Sequence, residues 1–335
     1  MRAQIAQPGA DPRPGGAIAA TSASPLASGI STDLRMAKYR QWQQVFVSAL
    51  QPEVPASGGQ GNRVRSYAEY LRTHEGLYEP LLPSEADAAL QACAAYRGGH
   101  AQLRIEGEVF EPMLQRMVRL LGDYRNLHLG AIVPRVGPEG EPGFIRKLYA
   151  LCDRVWGSLV PDVDYCIWNV LLKRDGEGLP VAYSMSWHYD VHYPRRYFKI
   201  LIGLNDAAEH GGGTELLSAA GSEAFTNATG YVGNQAANRI SDETFHAAAP
   251  SPPALFRPNL GDALLFWPSR VLHRGLVPTR QRLMLFVSGC PIPKSLSPQR
   301  EAITRLAFAN ARQAGKGYDI PIVWERAAAG TASAP

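Results

Sequence analysis

Apolar side chains follow two rhythms along this chain. In TDLRMAKYRQWQQVFVSAL, residues Met36, Tyr39, Trp42, Phe46 and Leu50 recur every three or four positions, and Thr32 or Asp33 is placed to cap the first turn, which predicts an amphipathic helix. EADAALQACAAYRG, FEPMLQRMVRLLGDYR and GFIRKLYALCDRVWGSL repeat that spacing between Pro and Gly clusters, so residues 34–162 are expected to be mostly helical. From about residue 163 the period shortens. YCIWNVLLK, SMSWHYDVHY, YFKILIGL, GTELLS, GDALLFWP and RLMLFVSG are short runs of alternating, β-branched or aromatic residues bounded by turn formers, and they predict strands. Several short strands with little helix between them argue for an antiparallel barrel or double-sheet jelly roll over 163–290 rather than a parallel sheet. SPQREAITRLAFANARQA reads as a closing helix within 291–325, with Ser297 as its cap.

Residues 1–33 are rich in Ala, Gly, Pro and Ser, with too few large apolar groups to offset the entropy of ordering. They are expected to form a disordered leader, and 326–335 a similar tail. Residues 34–325 are then one domain. No continuous apolar core of a signal peptide and no run of about 18 apolar residues is present, so a cytoplasmic chain that does not enter a membrane is expected.

Composition narrows the partner. At 45% hydrophobic and 19% charged, the 335 residues can build a sizeable core. The formal charge of +4 is small, and its Lys and Arg are scattered without a basic run, so nucleic acid is a poor candidate and a small molecule the better one. Oligomeric state is not legible. Cys93, Cys152, Cys166 and Cys290 stand far apart with no C-x-x-C spacing, which points to buried thiols rather than a disulfide framework or zinc knuckle.

Chemistry concentrates in SMSWHYDVHYPRR. On an extended strand His188, Asp190 and His192 share a face. The Cα atoms of His188 and Asp190 would lie about 6.6 Å apart, close enough to grip one ion, whereas His192 would stand about 13 Å from His188, too far for metal–nitrogen bonds near 2 Å. A site of two histidines and one carboxylate therefore needs its second His from another strand, leaving open positions opposite. GDALLFWPSRVLHRG offers His273, 83 residues beyond Asp190. Nine positions further on, Arg282 opens RLMLFVSG, where its guanidinium can bind a dicarboxylate's far end.

This order of motifs resembles the iron(II)/2-oxoglutarate-dependent dioxygenases, and most closely their phytanoyl-CoA dioxygenase-like branch. WHYDVHYP, ILIGLND followed by GGGTELL, and GDALLFWPSRVLHRG are similar to successive barrel strands of that family, over roughly residues 163–290. The resemblance implies a mainly β fold with α: a double-stranded β-helix (jelly roll, cupin-like) with the helical N-terminal half packed around it. It implies that His188, Asp190 and His273 ligate Fe(II) and that Arg282 pairs with the C5 carboxylate of 2-oxoglutarate. O2 then oxidises a small organic molecule while 2-oxoglutarate is decarboxylated to succinate. Related halogenases carry a small residue at the Asp190 position, so the carboxylate favours hydroxylation, desaturation or ring formation. In this branch the Arg commonly sits ten or eleven residues past the distal His; Arg282 sits nine past and Arg280 seven, which keeps Arg280 as an alternative.

Further co-substrate contacts are read on YCIWNVLLK, where Tyr165, Asn169 and Lys173 are expected to share one face, and at Thr214 after the triple Gly. Trp187 and Tyr189 should face away from the metal. His192 is expected at the rim, and His210 and His246 in loops. The polar, Gly/Pro-punctuated stretch from Ser222 to Leu260 reads as a long loop covering the substrate. The competing reading is a non-oxidative cupin-like barrel that binds a metal or ligand without turnover; a protein or nucleic-acid hydroxylase is disfavoured by the weak basic balance.

Overall fold

The structure, a computed structural model, describes residues 84–106, 110–121, 126–128, 140–176, 185–190, 196–233 and 239–305. The leader, the helix expected from Thr32 to Leu50, His192 and the tail lie outside the described residues. In chain order the elements are α1 (Ser84–Ala92), α2 (Ala94–Gly98), β1 (His100–Arg104), α3 (Phe110–Leu121), β2 (Asn126–His128), α4 (Gly140–Leu159), β3 (Asp164–Asp175) and β4 (Phe198–Gly203). There follow α5 (Ala207–His210), β5 (Gly213–Leu216), α6 (Ala219–Thr229), α7 (Asp242–Ala248), β6 (Ala254–Phe256), β7 (Asp262–Phe266), β8 (His273–Leu276), β9 (Arg282–Ile292) and a 3-10 helix, Lys294–Gln299.

The strands form a six-stranded sheet, ordered β1-β7-β4-β9-β3-β2, and a three-stranded sheet, ordered β6-β5-β8. Every pairing is antiparallel. Period-two alternation sorts the large sheet's side chains into two cores. Ile200, Ile202, Ala263, Leu265, Leu283, Leu285 and Val287 pack with Phe144, Leu148, Leu151 and Val155 of α4. Their neighbours Leu201, Leu264, Phe266 and Met284 point the other way and meet Leu216 and Phe256 of the small sheet. Both faces of the large sheet are therefore buried, which is why its central strands read as nearly unbroken apolar runs. Among the described residues no helix is long and apolar enough to cross a membrane.

Several features add to the expectation or differ from it. The described part of the N-terminal half is mostly helical and also supplies β1 and β2, the two edge strands of the large sheet. Both are short, and edge strands are recognisable only by what they pair with. The stretch from Ser222 to Leu260 is not a loop but contains most of α6, all of α7 and β6. Ser218 and Ser241 cap the two helices. Arg274 clamps α7 to the small sheet by pairing with both Glu215 and Asp242. SMSWHYDVHY is not a regular strand: its described residues pair only through isolated bridges at Trp187 and His188. Ser297 lies inside the 3-10 helix, with the closing α-helix beginning at Arg300.

A β-bulge decides which way β3 faces. The register with β9 shifts between Ile167 and Asn169, so Trp168 is an extra residue and the alternation changes phase. Before it, Tyr165 and Ile167 point into the α4 core; after it, Val170 and Leu172 do. Gly289 stands opposite, and a Cβ there would collide with the Cys166 carbonyl oxygen. Tyr165 is consequently not on one face with Asn169 and Lys173, as straight alternation predicted. Its ring packs 4.9 Å from that of Trp156, and its hydroxyl donates to Asp153 Oδ1 at 2.7 Å.

Candidate metal centre

His188, Asp190 and His273 converge, each offering one ligand atom within 4.8 Å of the others. All three are buried, with 4%, 6% and 5% exposure. His188 and His273 form an antiparallel bridge between the segment before β4 and the start of β8. Asp190 is fixed by its own backbone: its N–H donates to Pro268 O at 2.9 Å, and Ser269 Oγ donates to its carbonyl at 2.8 Å. Trp187 and Tyr189 turn to the opposite side and are fully buried with Phe225 and Phe245 of α6 and α7. Tyr231 donates to the Trp187 carbonyl at 2.9 Å, and Tyr189 donates to Ser222 O at 3.0 Å. The α6–α7 segment thus holds the ligand-bearing stretch from behind.

The tautomers follow from the partners. His188 Nδ1 lies 2.8 Å from Ser186 O, and His273 Nδ1 lies 2.9 Å from Val271 O. A carbonyl only accepts, so both Nδ1 atoms carry the proton and both Nε2 atoms present lone pairs. Burial drives both imidazoles toward neutrality: His188 falls well below the ordinary range, helped by His273, and His273 falls to about 4, with Asp190 opposing. Burial alone would raise the Asp190 pKa, but the Lys199 ammonium, His273 and His188 outweigh it, and the carboxylate lies below its usual range. His188 Nε2 and Asp190 Oδ1, two acceptors, face each other at 3.6 Å. Three acceptors converging in a buried space make a cation site, and neutral imidazoles with a carboxylate are a donor set suited to a divalent transition metal.

Lys199 was not anticipated. It projects from β4 and ion-pairs with Asp190 Oδ2. The signal was present, a single Lys in the apolar run FKILIG, but its meaning depends on which face of β4 looks at Asp190.

The predicted co-substrate residues fall into two groups. Asn169 faces Ser288 on β9, and Ser288 faces Lys199 on β4, so Asn169 stands in the triad's row. Lys173 and Asp175 stand further along that face, opposite Met284 and Arg282. Arg282 is 4% exposed; its Nη2 donates to Asp175 Oδ2 at 3.0 Å and its Nη1 to Gly213 O at 2.7 Å. Its Nε is buried and has no hydrogen-bond partner among the described residues. Lys173 Nζ also pairs with Asp175, at 3.0 Å. Burial would raise the Asp175 pKa, yet Lys173 and Arg282 together lower it. Arg280 is exposed. Thr214 is buried, facing Gly275 and Phe256, and the Gly213 carbonyl beside it holds Arg282. His210 is not a loop residue: it ends α5 fully buried, its Nδ1 accepting from Gly212 N–H at 3.0 Å. His246 lies on α7 rather than in a loop.

No model of a known protein family and no curated protein matches this chain. Solved structures resemble parts of it. The non-haem alpha-ketoglutarate-dependent epimerase SnoN from nogalamycin biosynthesis is 12% identical at a TM-score of 0.38, covering 61% of this chain and 84% of its own. A prolyl hydroxylase from Trichoplax adhaerens is 14% identical at 0.39, covering 70% and 94%. EctD from S. alaskensis in its apoform is 13% identical at 0.36, covering 62% and 77%. The functional reading rests on the residues of the centre.

Proposed function

We propose that this chain is an Fe(II)- and 2-oxoglutarate-dependent dioxygenase that hydroxylates, desaturates or cyclises a small organic molecule, within the branch its motifs resemble. One observation carries the reading: one ring nitrogen of His188, one of His273 and an Asp190 oxygen meet within 4.8 Å in a buried space. When bound, iron with 2-oxoglutarate supplies the oxidising power, O2 being reduced as the oxo acid is decarboxylated to succinate.

The chain's own residues have definable tasks in this reading. His188, Asp190 and His273 would hold the metal, and the carbonyls of Ser186 and Val271 keep both imidazoles in the ligating tautomer. The orphaned Arg282 Nε supports a carboxylate site, because a buried guanidinium with an unused donor is a costly arrangement that an acceptor relieves. The register sets the scale. Gly213, whose carbonyl holds Arg282, is three residues from Leu216, which faces His273, or about 10 Å along the strand. Leu201, Leu216 and Met284 are buried together on this side of the large sheet.

The Asp175 ion pair favours a second reading, a metal-binding barrel without turnover, because it gives Arg282 an internal partner. One experiment separates them. Anaerobically iron-loaded protein should develop a weak visible charge-transfer band with 2-oxoglutarate and release succinate in air. Metal uptake with neither signal would favour the barrel.

A further inference from the structure

One charged group touches this centre without being a ligand of the metal it would hold, the ammonium of Lys199 on Asp190. It stands on the face of β4 that looks toward the small sheet, between Ser288 of β9 and Phe266 of β7. Its side chain is 21% exposed and ends on Asp190 Oδ2. An ammonium placed there loses hydration, and Asp190 compensates fully only while its whole negative charge is available. A divalent ion held by His188, Asp190 and His273 would compete with Lys199 for that same carboxylate charge. Arg239 adds to this. Its neighbour Ile240 bridges Trp187, the residue before His188, and the Arg239 charge acts on both imidazoles. Two positive side chains therefore act on this centre besides the metal it would hold, a field that favours an anion there. A carboxylate has the right chemistry, since one oxygen can ligate the metal while the other accepts from an ammonium.

We propose that Lys199 is an anion-binding residue: in the metal-loaded protein its ammonium yields Asp190 to the metal and donates to a carboxylate bound at the metal, with Arg239 reinforcing the field. This rests on reading the triad as a metal centre. The carboxylate has two possible sources, the C1 end of 2-oxoglutarate or an acid group on the substrate, and the second would make the substrate an organic acid.

The test uses the full chain loaded anaerobically with Mn(II), as wild type, Lys199→Met and Lys199→Arg, titrated with 2-oxoglutarate and with acetate. Calorimetry and the Mn(II) electron paramagnetic resonance signal report binding. Lys199→Met should bind Mn(II) at least as tightly as wild type and lose tenfold or more in anion affinity, with most of it retained in Lys199→Arg. A loss for 2-oxoglutarate identifies the co-substrate as the source. Unchanged 2-oxoglutarate binding, with loss of acetate binding to the 2-oxoglutarate-loaded protein, identifies the substrate. Wild-type anion binding in Lys199→Met, with or without weaker Mn(II) binding, reduces Lys199 to a structural counter-ion and overturns the proposal; so does wild-type protein that binds Mn(II) but neither anion. Wild-type protein that takes up Mn(II) and acetate but not 2-oxoglutarate sinks the co-substrate reading and leaves Lys199 as proposed. No Mn(II) uptake at all sinks both. Should Lys199→Met not fold, Lys199→Gln, equally uncharged, is expected to show the same losses.

Discussion

His188 and His273 hold each other by their backbones: each N–H donates to the other's carbonyl at 3.0 Å, and the ring centroids lie 4.2 Å apart. Because main-chain bonds make this pairing, it does not need the imidazoles. His188→Ala or His273→Ala is therefore expected to fold with a near-wild-type unfolding midpoint. Each should lose more metal affinity than the roughly 10–100-fold caused by removing a ligand's hydrogen-bond partner. Asp190→Ala should lose metal as well, and turnover should vanish in all three. Metal titration with thermal unfolding checks this, and wild-type affinity in any one would remove it from the triad.

The metal-free protein should weaken in mild acid. His273 has a folded-state pKa of about 4 against an ordinary 6.5, so the unfolded chain binds protons that the folded chain does not. Its stabilising contribution is full above pH 6.5 and is lost as pH falls from there toward 4, on the order of a few kcal/mol. His188 shifts in the same direction. Unfolding midpoints measured in chelator across this window should fall, and His273→Gln should flatten the profile. An equally steep profile in that variant would refute the assignment.

Arg282 and Asp175 make opposite predictions. Arg282→Lys removes the planar fork and should weaken 2-oxoglutarate binding by tenfold or more, the scale of one charged hydrogen bond at about 1.5–3 kcal/mol. Asp175→Asn removes the internal carboxylate that shares Arg282 and Lys173, so 2-oxoglutarate should bind more tightly while the apo protein loses stability. Calorimetric titration decides; weaker 2-oxoglutarate binding in Asp175→Asn would mean that Asp175 positions Arg282 rather than competing for it.

Phe245 supports the centre from behind. It is fully buried and stacks on Trp187 with centroids 3.7 Å apart and planes at 10°. Phe245→Ala should cost about 3–5 kcal/mol by leaving a cavity, measured by denaturant unfolding. Since Trp187 adjoins His188, metal affinity should fall too. A loss of stability without any loss of affinity would uncouple the α6–α7 segment from the ligands.

Much of this protein could be read from residue order alone. Short, nearly unbroken apolar runs located β3, β4, β7 and β9 because both faces of the large sheet are buried and its strands therefore carry few polar residues, and GTELLS located β5 of the small sheet. The His-x-Asp spacing marked His188 and Asp190 as a pair, and the apolar run before His273 marked it as a distal partner; the structure brings the three together, although the segment that carries the pair is not a regular strand. What patterning could not contain is phase and pairing. One extra residue at Trp168 turned Tyr165 into the helix-side core, an effect of register with Gly289 that the strand's own sequence does not express. The edge strands β1 and β2 exist because β7 and β3 offer them unpaired backbone. Above all, Lys199 on Asp190 and Asp175 on Arg282 are charge pairs set by which strands lie side by side and which faces meet. Local sequence determines which side chains a strand can present; only tertiary packing decides which charges share a low-dielectric space, where partners matter most.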